Sequence, residues 1–243
     1  MAPEPTTMRP APATRRRRQR PPAVTARDLA AVRWLGQQFG ARADLLAVLL
    51  GRLSPAEPQA AGLVGARTVR HHVDRWLRAR LVVREHLLGQ LWVTPTRRGL
   101  SMTGLDFPLW ELPETQLGHV HAVGVVRLAV EQAGGLWVCE RHLRRELASP
   151  VAHPFDGAVH TEAGRHLVEV ELTQKAQRRV TRAVAASDGA LSLTYFTPSE
   201  LLAPIGRQVA QAEAELAARG RQLPPIRVLP LPSLEDLTRG GAA

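Results

Sequence analysis

The alternation of apolar and acidic residues in the segment 168–172 constrains the fold of this chain more than any other feature. Its first, third and fifth positions are apolar, whereas Glu169 and Glu171 fill the two positions between them. Successive side chains of a β-strand point to opposite faces, so the two carboxylates share one face and the apolar side chains share the other. The segment therefore predicts a strand that is covered on its apolar face and carries an acidic pair on the opposite face.

The segments on either side of this strand predict the rest of a mixed sheet. Apolar residues at helical spacing predict helices over residues 119–133, 174–186 and 200–219. Runs rich in β-branched and aromatic residues predict further strands at 136–140, 156–160, 191–196 and 226–231. The order is α-β-β-β-α-β-α-β, with three successive strands followed by helical crossovers. Residues 113–232 are therefore expected to form an α/β domain with helices on the faces of a mixed sheet.

Residues 25–112 predict a different arrangement, in which three helices precede a hairpin and a fourth helix. Apolar spacing predicts helices at 25–39, 44–50 and 66–79, with a loop rich in proline and glycine at 51–65. Two short β-prone runs within 81–94 flank a glycine turn, and the fourth helix is expected to begin at Thr96. This is the order of a winged helix-turn-helix domain, whose third helix enters the major groove of DNA. The whole chain is thus expected to combine α+β and α/β parts.

The net positive charge of the chain comes entirely from its N-terminal half. The sequence has 32 Lys and Arg residues against 22 Asp and Glu, a net charge of +10. Residues 1–25 hold six Arg and one Glu, residues 26–112 hold twelve Arg and seven acids, and residues 113–243 are neutral. A basic half joined to a neutral half predicts that the first part faces nucleic acid and the second has another task.

Eight side chains of the predicted winged helix are candidates for contacts with phosphates or guanine bases. They are Arg67, Arg70, His71, Arg75, Arg78, Arg84, Arg97 and Arg98. The guanidinium group of arginine can form two parallel hydrogen bonds to a phosphate group or to the edge of a guanine base. The alternative is a small helical protein-interaction module with a solvated arginine face.

The two ends of the chain predict no packed structure. Residues 1–24 are dominated by proline and alanine and include a block of arginines, so they are expected to form a disordered basic arm. Such an arm can lie on phosphates or in a minor groove, or it can simply be solvated. Residues 233–243 are expected to form a flexible tail.

The only lysine of the chain, Lys175, follows the acidic strand. Restriction-endonuclease-like folds of the PD-(D/E)xK type place an Asp on one strand and acid-x-Lys on the next. Here Asp156 and Glu169 take the acid positions and would hold Mg²⁺, which polarises a scissile phosphate, while Glu171 stands where the lysine is expected. Lys175, predicted at the start of the following helix, could bring its ammonium back to that place. The candidate catalytic set is therefore these four residues, with Glu131 as a further acid.

Other classes of protein are disfavoured by composition. The single cysteine, Cys139, excludes an intramolecular disulfide and a cysteine-based metal cluster, which is consistent with the reducing cytoplasm. No apolar run approaches the roughly 18 residues of a membrane span, and no signal peptide is expected. The pair His71 and His72 cannot share an ion on a helix, because neighbouring side chains point about 100° apart. His119 and His121 are likewise poorly placed for a shared metal.

Three segments together resemble the replication-relaxation family of actinobacterial chromosomes and mobile elements. They are Leu29–Leu35 in the first helix, His119–Val123, and Asp156-Gly157 followed by Val168–Leu172. The resemblance covers roughly residues 25–232, and its evidence is the order of these short motifs. It implies a winged helix joined to an endonuclease-like domain, and DNA binding linked to plasmid replication or mobile-element maintenance. Double-stranded DNA, a second copy of the chain, and replication or conjugation proteins are the expected partners.

Two other functions remain open from the sequence. The first is an active Mg²⁺-dependent DNA endonuclease. The main expectation is instead a degenerate nuclease site, because the strand lacks the lysine. The second is a winged-helix transcriptional regulator whose C-terminal domain dimerises or senses a ligand.

Overall fold

The computed structural model describes residues 23–54, 63–146 and 153–239. Its helices and strands form a mixed α+β architecture with a three-stranded sheet and a five-stranded sheet. Most of the predicted basic arm and much of the predicted loop 51–65 lie outside the described residues.

The three-stranded sheet belongs to the N-terminal unit, which we define as residues 23–102. Its elements are α1 (Ala26–Gln38), β1 (Ala41–Arg42), α2 (Ala43–Arg52), α3 (Ala66–Arg78), β2 (Val82–Leu87), β3 (Gln90–Pro95) and α4 (Arg97–Met102). Strand β3 lies in the middle and pairs antiparallel with β1 on one side and β2 on the other. The helices and the β2–β3 hairpin agree with the sequence pattern, whereas the two-residue strand β1 was not predicted.

Local sequence explains where several of these elements begin and end. Thr25 caps α1: its hydroxyl accepts a hydrogen bond from the Asp28 amide at 3.2 Å, and the Asp28 carboxylate accepts one from the Thr25 amide at 2.9 Å. This reciprocal pair satisfies two backbone donors that the helix leaves free. The turn between β2 and β3 consists of Leu88 and Gly89, both with positive φ, which matches the twist of the paired strands.

The five-stranded sheet belongs to the C-terminal unit, which we define as residues 117–230. Its elements are α5 (Leu117–Gln132), β4 (Leu136–Cys139), α6 (Glu140–Glu146), β5 (Gly157–Thr161), β6 (Gly164–Val170), α7 (Gln177–Ala186), β7 (Ser192–Thr197), α8 (Leu202–Ala217) and β8 (Ile226–Pro230). The strand order is β4-β5-β6-β7-β8. The pairs β4–β5 and β5–β6 are antiparallel, whereas β6–β7 and β7–β8 are parallel.

Helices cover both faces of this sheet. Val168 and Val170 of β6 pack with α5, and Leu167, on the opposite face, packs with α7 and α8. Glu169 shares the face of Leu167, as the alternation of the strand requires. The prediction of a strand with apolar and acidic faces is confirmed, and the acidic face is the one that α7 borders.

Helix α5 connects the two units, because its side chains enter both cores. Val125 and Leu128 pack with the helices of the N-terminal unit, whereas Val123 and Val126 pack on the sheet. Gly124 allows the close approach: a Cβ there would lie 2.5 Å from the Leu45 side chain of α2. The predicted boundary near residue 112 therefore lies between two groups of elements, and α5 packs against both of them.

Two helices lie where no helix was predicted. Helix α6 follows β4 directly, and α9 (Leu234–Arg239) occupies a segment that the sequence assigned to a flexible tail. Leu237 of α9 is 3% exposed and packs in the core of the N-terminal unit, so this part of the tail is ordered by burial. Within the described ranges, no helix has both the length and the apolar character needed to cross a bilayer.

Candidate functional site

The four predicted catalytic residues lie near the C-terminal end of β6, the central strand of the five-stranded sheet. Strand register pairs Gly157 with Val168, so Asp156, which immediately precedes β5, lies beside the end of β6 that carries Glu169. Asp156 Oδ2 accepts a hydrogen bond from the Val170 amide at 2.7 Å, which fixes its carboxylate against the end of β6. The antiparallel pairing of two strands is therefore what brings the first acid to the other two.

Asp156 is also bound from the side of helix α5. His119 Nε2 donates to Asp156 Oδ1 at 2.9 Å, and the Asp156 side chain is only 11% exposed. Burial lowers the pKa of His119, but the hydrogen bond to Asp156 and the negative charge of Asp156 together outweigh burial and raise the pKa above its ordinary value. His119 was not expected at the site, because its approach to Asp156 depends on how α5 packs on the sheet.

Glu169 is buried among polar partners on the α7 side of the sheet. His153 Nε2 lies 2.5 Å from Glu169 Oε1, and Tyr195 of β7 is paired with Glu169 in the strand register. Burial raises the pKa of Glu169 well above its ordinary value, and the negative charge of Asp156 raises it further. Burial also lowers the pKa of His153. Both directions favour one shared proton between neutral partners over an ion pair.

The displaced lysine reaches the acidic residues. Lys175 Nζ lies 2.8 Å from Glu171 Oε2, with the carboxylate almost buried and the ammonium partly exposed. Gln208 of α8 donates to the Lys175 carbonyl at 2.7 Å, which anchors the backbone at this point. The lysine precedes α7, which begins at Gln177, so it lies in the connection between strand and helix and not in the helix as predicted.

Two further side chains complete the site and could not be found from sequence. The hydroxyl of Tyr195 is buried and finds no hydrogen-bond partner among the described residues. Burial raises the pKa of Tyr195, and the charges of Glu169 and Glu171 add to this. Glu140, the first residue of α6, has its pKa raised by burial and then by Asp156. A cavity of about 280 Å³ adjoins Glu169, Glu171 and Tyr195.

The oxygen donors can be compared with the needs of Mg²⁺. Magnesium is commonly held by one or two carboxylates, with water completing its shell. Asp156, before β5, and Glu169, on β6, carry carboxyl groups of the kind that hold this ion, and Glu169 would have to release its proton to do so. Across residues 23–54, 63–146 and 153–239, no group of three or more His, Cys, Asp or Glu side chains is placed to hold a metal ion.

Most of the predicted DNA-contacting side chains are on the surface of the N-terminal unit. Those exposed to solvent are Arg67, Arg70, His71, Arg78, Arg84, Arg97 and Arg98. Arg84 is paired with Asp74 at 3.2 Å, with both side chains partly solvated. Arg67, Arg70 and Arg78 lie on α3, whose opposite face is buried through Val69, Val73 and Trp76.

Arg75 is the exception among these eight residues. Its guanidinium donates to the fully buried carboxylate of Asp28 and lies 2.8 Å from His72 Nδ1. The same Asp28 oxygen accepts from Trp76 Nε1 at 2.7 Å. Arg75 therefore joins α3 to α1 inside the unit, and its orientation differs from the outward one that was predicted.

Glu131, the further acid that was considered, lies away from the catalytic set. Its carboxylate accepts hydrogen bonds from Arg127 at 2.7 Å and from Trp34 at 3.1 Å. It thus joins α5 to α1. His121, in turn, lies 3.0 Å from the Arg42 guanidinium.

Comparison with protein-family models, with curated proteins and with solved structures found no match.

Proposed function

We propose that this protein binds double-stranded DNA through α3 and the β2–β3 hairpin, which together act as a winged helix-turn-helix. The observation that carries this proposal is the outer face of α3. Arg67, Arg70 and Arg78 are exposed there, and no carboxylate of the described residues is paired with them. Free guanidinium groups on a helix with a rigid, buried back are suited to phosphates and guanine edges.

The element order supports the same proposal. In the N-terminal unit β1 lies between the first two helices and pairs with β3 of the hairpin, so helices and sheet close on one core. A helix that enters the major groove beside such a hairpin is the docking geometry of this class. Arg97 and Arg98, exposed at the start of α4, add positive charge near the base of the hairpin.

For the C-terminal unit we propose a PD-(D/E)xK-like fold with a degenerate nuclease site. Three antiparallel strands followed by parallel strands behind helical crossovers support the fold, as do the positions of Asp156 just before β5 and Glu169 on the neighbouring β6. Glu171 in place of the strand lysine supports degeneracy. The role in replication or maintenance of a plasmid or other mobile element rests on the resemblance to the replication-relaxation family alone.

A second candidate function is Mg²⁺-dependent cleavage of DNA, and one contact favours it. Lys175 Nζ lies 2.8 Å from Glu171 Oε2, so an ammonium is present beside the acids although it comes from another position. Asp156 and Glu169 would hold the ion, which would polarise the scissile phosphate. The lysine would stabilise the charge that develops there.

A single agarose gel separates the two candidates. Supercoiled plasmid is incubated with the protein and Mg²⁺ or Mn²⁺, and half of each sample is deproteinised before loading. Retarded plasmid that is intact after deproteinisation is the expected result and supports a DNA-binding protein without cleavage. Nicked or linear plasmid that disappears with chelator and with Asp156→Ala supports the nuclease. Unchanged mobility in both halves contradicts DNA binding.

A further inference from the structure

A second cavity, of about 480 Å³, lies where the N-terminal unit, the connecting segment 103–116 and α6 meet. Its volume is within the range of roughly 300–1,000 Å³ that small-molecule sites occupy. It is lined by other residues than the acidic cavity, except that Lys175 borders both. His119, the donor to Asp156, also lines it. The cavity therefore opens beside the acidic residues without being part of them.

Aromatic rings form one wall of this cavity. Trp110 lies on the connecting segment with 46% of its surface exposed, and its ring centroid is 5.4 Å from that of Phe39. Phe39 ends α1 with φ 70°, a left-handed conformation that is unusual for a bulky residue and that concentrates at ligand sites. Phe107 is the third ring. A large exposed tryptophan beside two other rings offers a flat surface on which a planar group can stack.

A buried arginine fixes this wall. The Arg141 guanidinium lies 4.8 Å from the Phe39 ring and 4.5 Å from the Phe107 ring. It donates to the Gly36 carbonyl at 2.8 Å and to the Pro108 carbonyl. Burial lowers the pKa of Arg141 to about 10, so the group stays charged near neutral pH. Its donors are used by the backbone, which makes Arg141 a part of the wall.

The exposed cations of the cavity are on α6 and before α7, and each also has a carboxylate partner, which for Lys175 is Glu171 outside the lining. Arg144 and Arg145 have half of their side-chain surface exposed, and Lys175 has about a third. Glu140 pairs with Arg144 at 2.5 Å, and Asp106, fully solvated, lies 3.8 Å from Arg145. Glu140 is the one carboxylate among the described lining residues, against four Arg or Lys side chains. The cavity thus joins an aromatic wall to an excess of positive charge.

We propose that this cavity holds an unpaired nucleotide of single-stranded DNA, with its base against Trp110 and its phosphate near Arg145 and Lys175. The proposal rests on the proposed function, since it names which form of DNA reaches the C-terminal unit. Bases stack on exposed aromatic side chains while basic groups follow the backbone, the usual way in which single strands are bound. An apolar ligand would make no use of the cations, and free phosphate would make no contact with the aromatic rings. A strand bound here would pass the acidic residues, because Lys175 and His119 border both places.

The test is the affinity of the full chain for a short labelled oligothymidine strand, measured by fluorescence anisotropy in chelator. Trp110→Ala is expected to weaken binding by about tenfold or more, the size of effect that follows loss of one stacked base. Trp110→Phe, which keeps a ring, should retain most of the affinity, and Arg145→Ala should weaken binding and make it less sensitive to salt. Leu109→Ala is the matched control, because Leu109 is 48% exposed on the same segment but is not in the lining.

Duplex binding separates this proposal from the proposed function. Affinity for a labelled duplex should fall in Arg67→Ala/Arg70→Ala and stay unchanged in Trp110→Ala. Single-strand affinity that Trp110→Ala leaves unchanged, or that Leu109→Ala reduces equally, overturns the nucleotide site even if duplex binding is normal. Loss of single-strand binding in Trp110→Ala supports the nucleotide site even where the duplex does not bind, and in that case only the proposed function fails. Thermal melting of each variant confirms that a lost affinity is not a lost fold.

Discussion

Lys175 Nζ lies 2.8 Å from Glu171 Oε2, so the only lysine of the chain pairs with the residue that stands in the strand position of the expected lysine. The pair spans four residues across the end of β6 and the connection to α7. A loop residue, Lys175, therefore provides the cation near Asp156 and Glu169, and its ammonium pairs with the additional carboxylate of Glu171. The arrangement adds one negative charge to the acidic set and requires the lysine to balance it.

Removing the ammonium should destabilise the fold through the carboxylate that it leaves behind. Glu171 is 7% exposed, so Lys175→Met leaves a nearly buried charge without its partner. We expect a loss of about 1–2 kcal/mol in the free energy of unfolding, a value reduced because Lys175 itself is partly solvated. The double variant Lys175→Met/Glu171→Gln should recover most of this loss, as measured by urea denaturation. Additive effects of the two changes would show that the pair is not coupled.

The raised pKa of Glu169 predicts a pH-dependent gain of stability on removing its charge. Below the ordinary pKa of 4.5 the carboxyl is protonated in both states, but above it only the unfolded chain ionises freely. The wild type therefore loses stability as pH rises, at about 1.4 kcal/mol for each unit of raised pKa. Glu169→Gln should raise the melting temperature, and by more at pH 8 than at pH 5. Glu162→Gln, on an exposed turn, is the control. A variant less stable than wild type at pH 8 would mean that Glu169 is ionised and paired.

Asp28 should be the most sensitive polar residue of the N-terminal unit. Burial raises its pKa, but hydrogen bonds from Thr25, Trp76 and Arg75 outweigh burial and hold the pKa well below its ordinary value. Asp28→Asn should cost about 3 kcal/mol at pH 7, because it leaves buried donors without a charged acceptor.

The pH dependence of Asp28 has the opposite sign to that of Glu169. Its contribution is present above the ordinary pKa of 3.8 and is lost as pH falls, since the unfolded chain takes up the proton first. The difference between wild type and Asp28→Asn should therefore shrink below pH 3.8 in denaturant unfolding. Asp74→Asn, which removes only a solvated pair, should cost less than about 1 kcal/mol. Equal costs for the two variants would contradict this account.

Substitution of glycine by alanine should have opposite effects on stability at Gly99 and at Gly206. A Cβ on Gly99 would lie 2.1 Å from the Leu81 carbonyl oxygen, where only backbone movement could relieve the clash. Gly99→Ala should therefore cost roughly 2 kcal/mol or more and loosen α4 from the hairpin. Gly206 in α8 has no atom within 4 Å of such a Cβ, so Gly206→Ala should stabilise the protein by up to about 1 kcal/mol. Both values follow from thermal unfolding, and a destabilised Gly206→Ala would contradict the packing described for α8.

Local patterns predicted the elements and the faces that they bury. The alternation around Glu169 placed its carboxylate on the face of β6 opposite Val168 and Val170, with Glu171 just beyond the end of the strand. The spacing of Val69, Val73 and Trp76 identified the buried face of α3. The capping box of Thr25 and Asp28 marked the start of α1. In each case the cause lies within a few residues, so the sequence carries the information.

Contacts between distant elements account for what the sequence did not predict. Tyr195 meets Glu169 only after β7 and β6 have paired, and His153, which precedes β5, meets it only after β5 and β6 have paired. His119 meets Asp156 only after α5 has packed on the sheet. Nothing in the sequence around Arg75 distinguishes it from the exposed arginines of α3. Its side chain turns inward because its guanidinium donates to the buried carboxylate of Asp28 on α1. Helix α9 is too short for periodicity, although Ser233 and Asp236 form a capping pair at its start.

The most direct test of DNA binding by the N-terminal unit is the dissociation constant for a labelled duplex, measured over a range of salt concentrations. We expect Arg67→Ala/Arg70→Ala to bind about tenfold more weakly or worse, with a salt slope shallower by about two, because each lost phosphate contact releases one counterion fewer. The control variant Arg207→Ala/Arg219→Ala removes the same charge from exposed positions of the C-terminal unit and should bind like wild type. Equal affinity of the α3 variant and wild type, or an equal loss in the control, would contradict recognition of DNA by this helix.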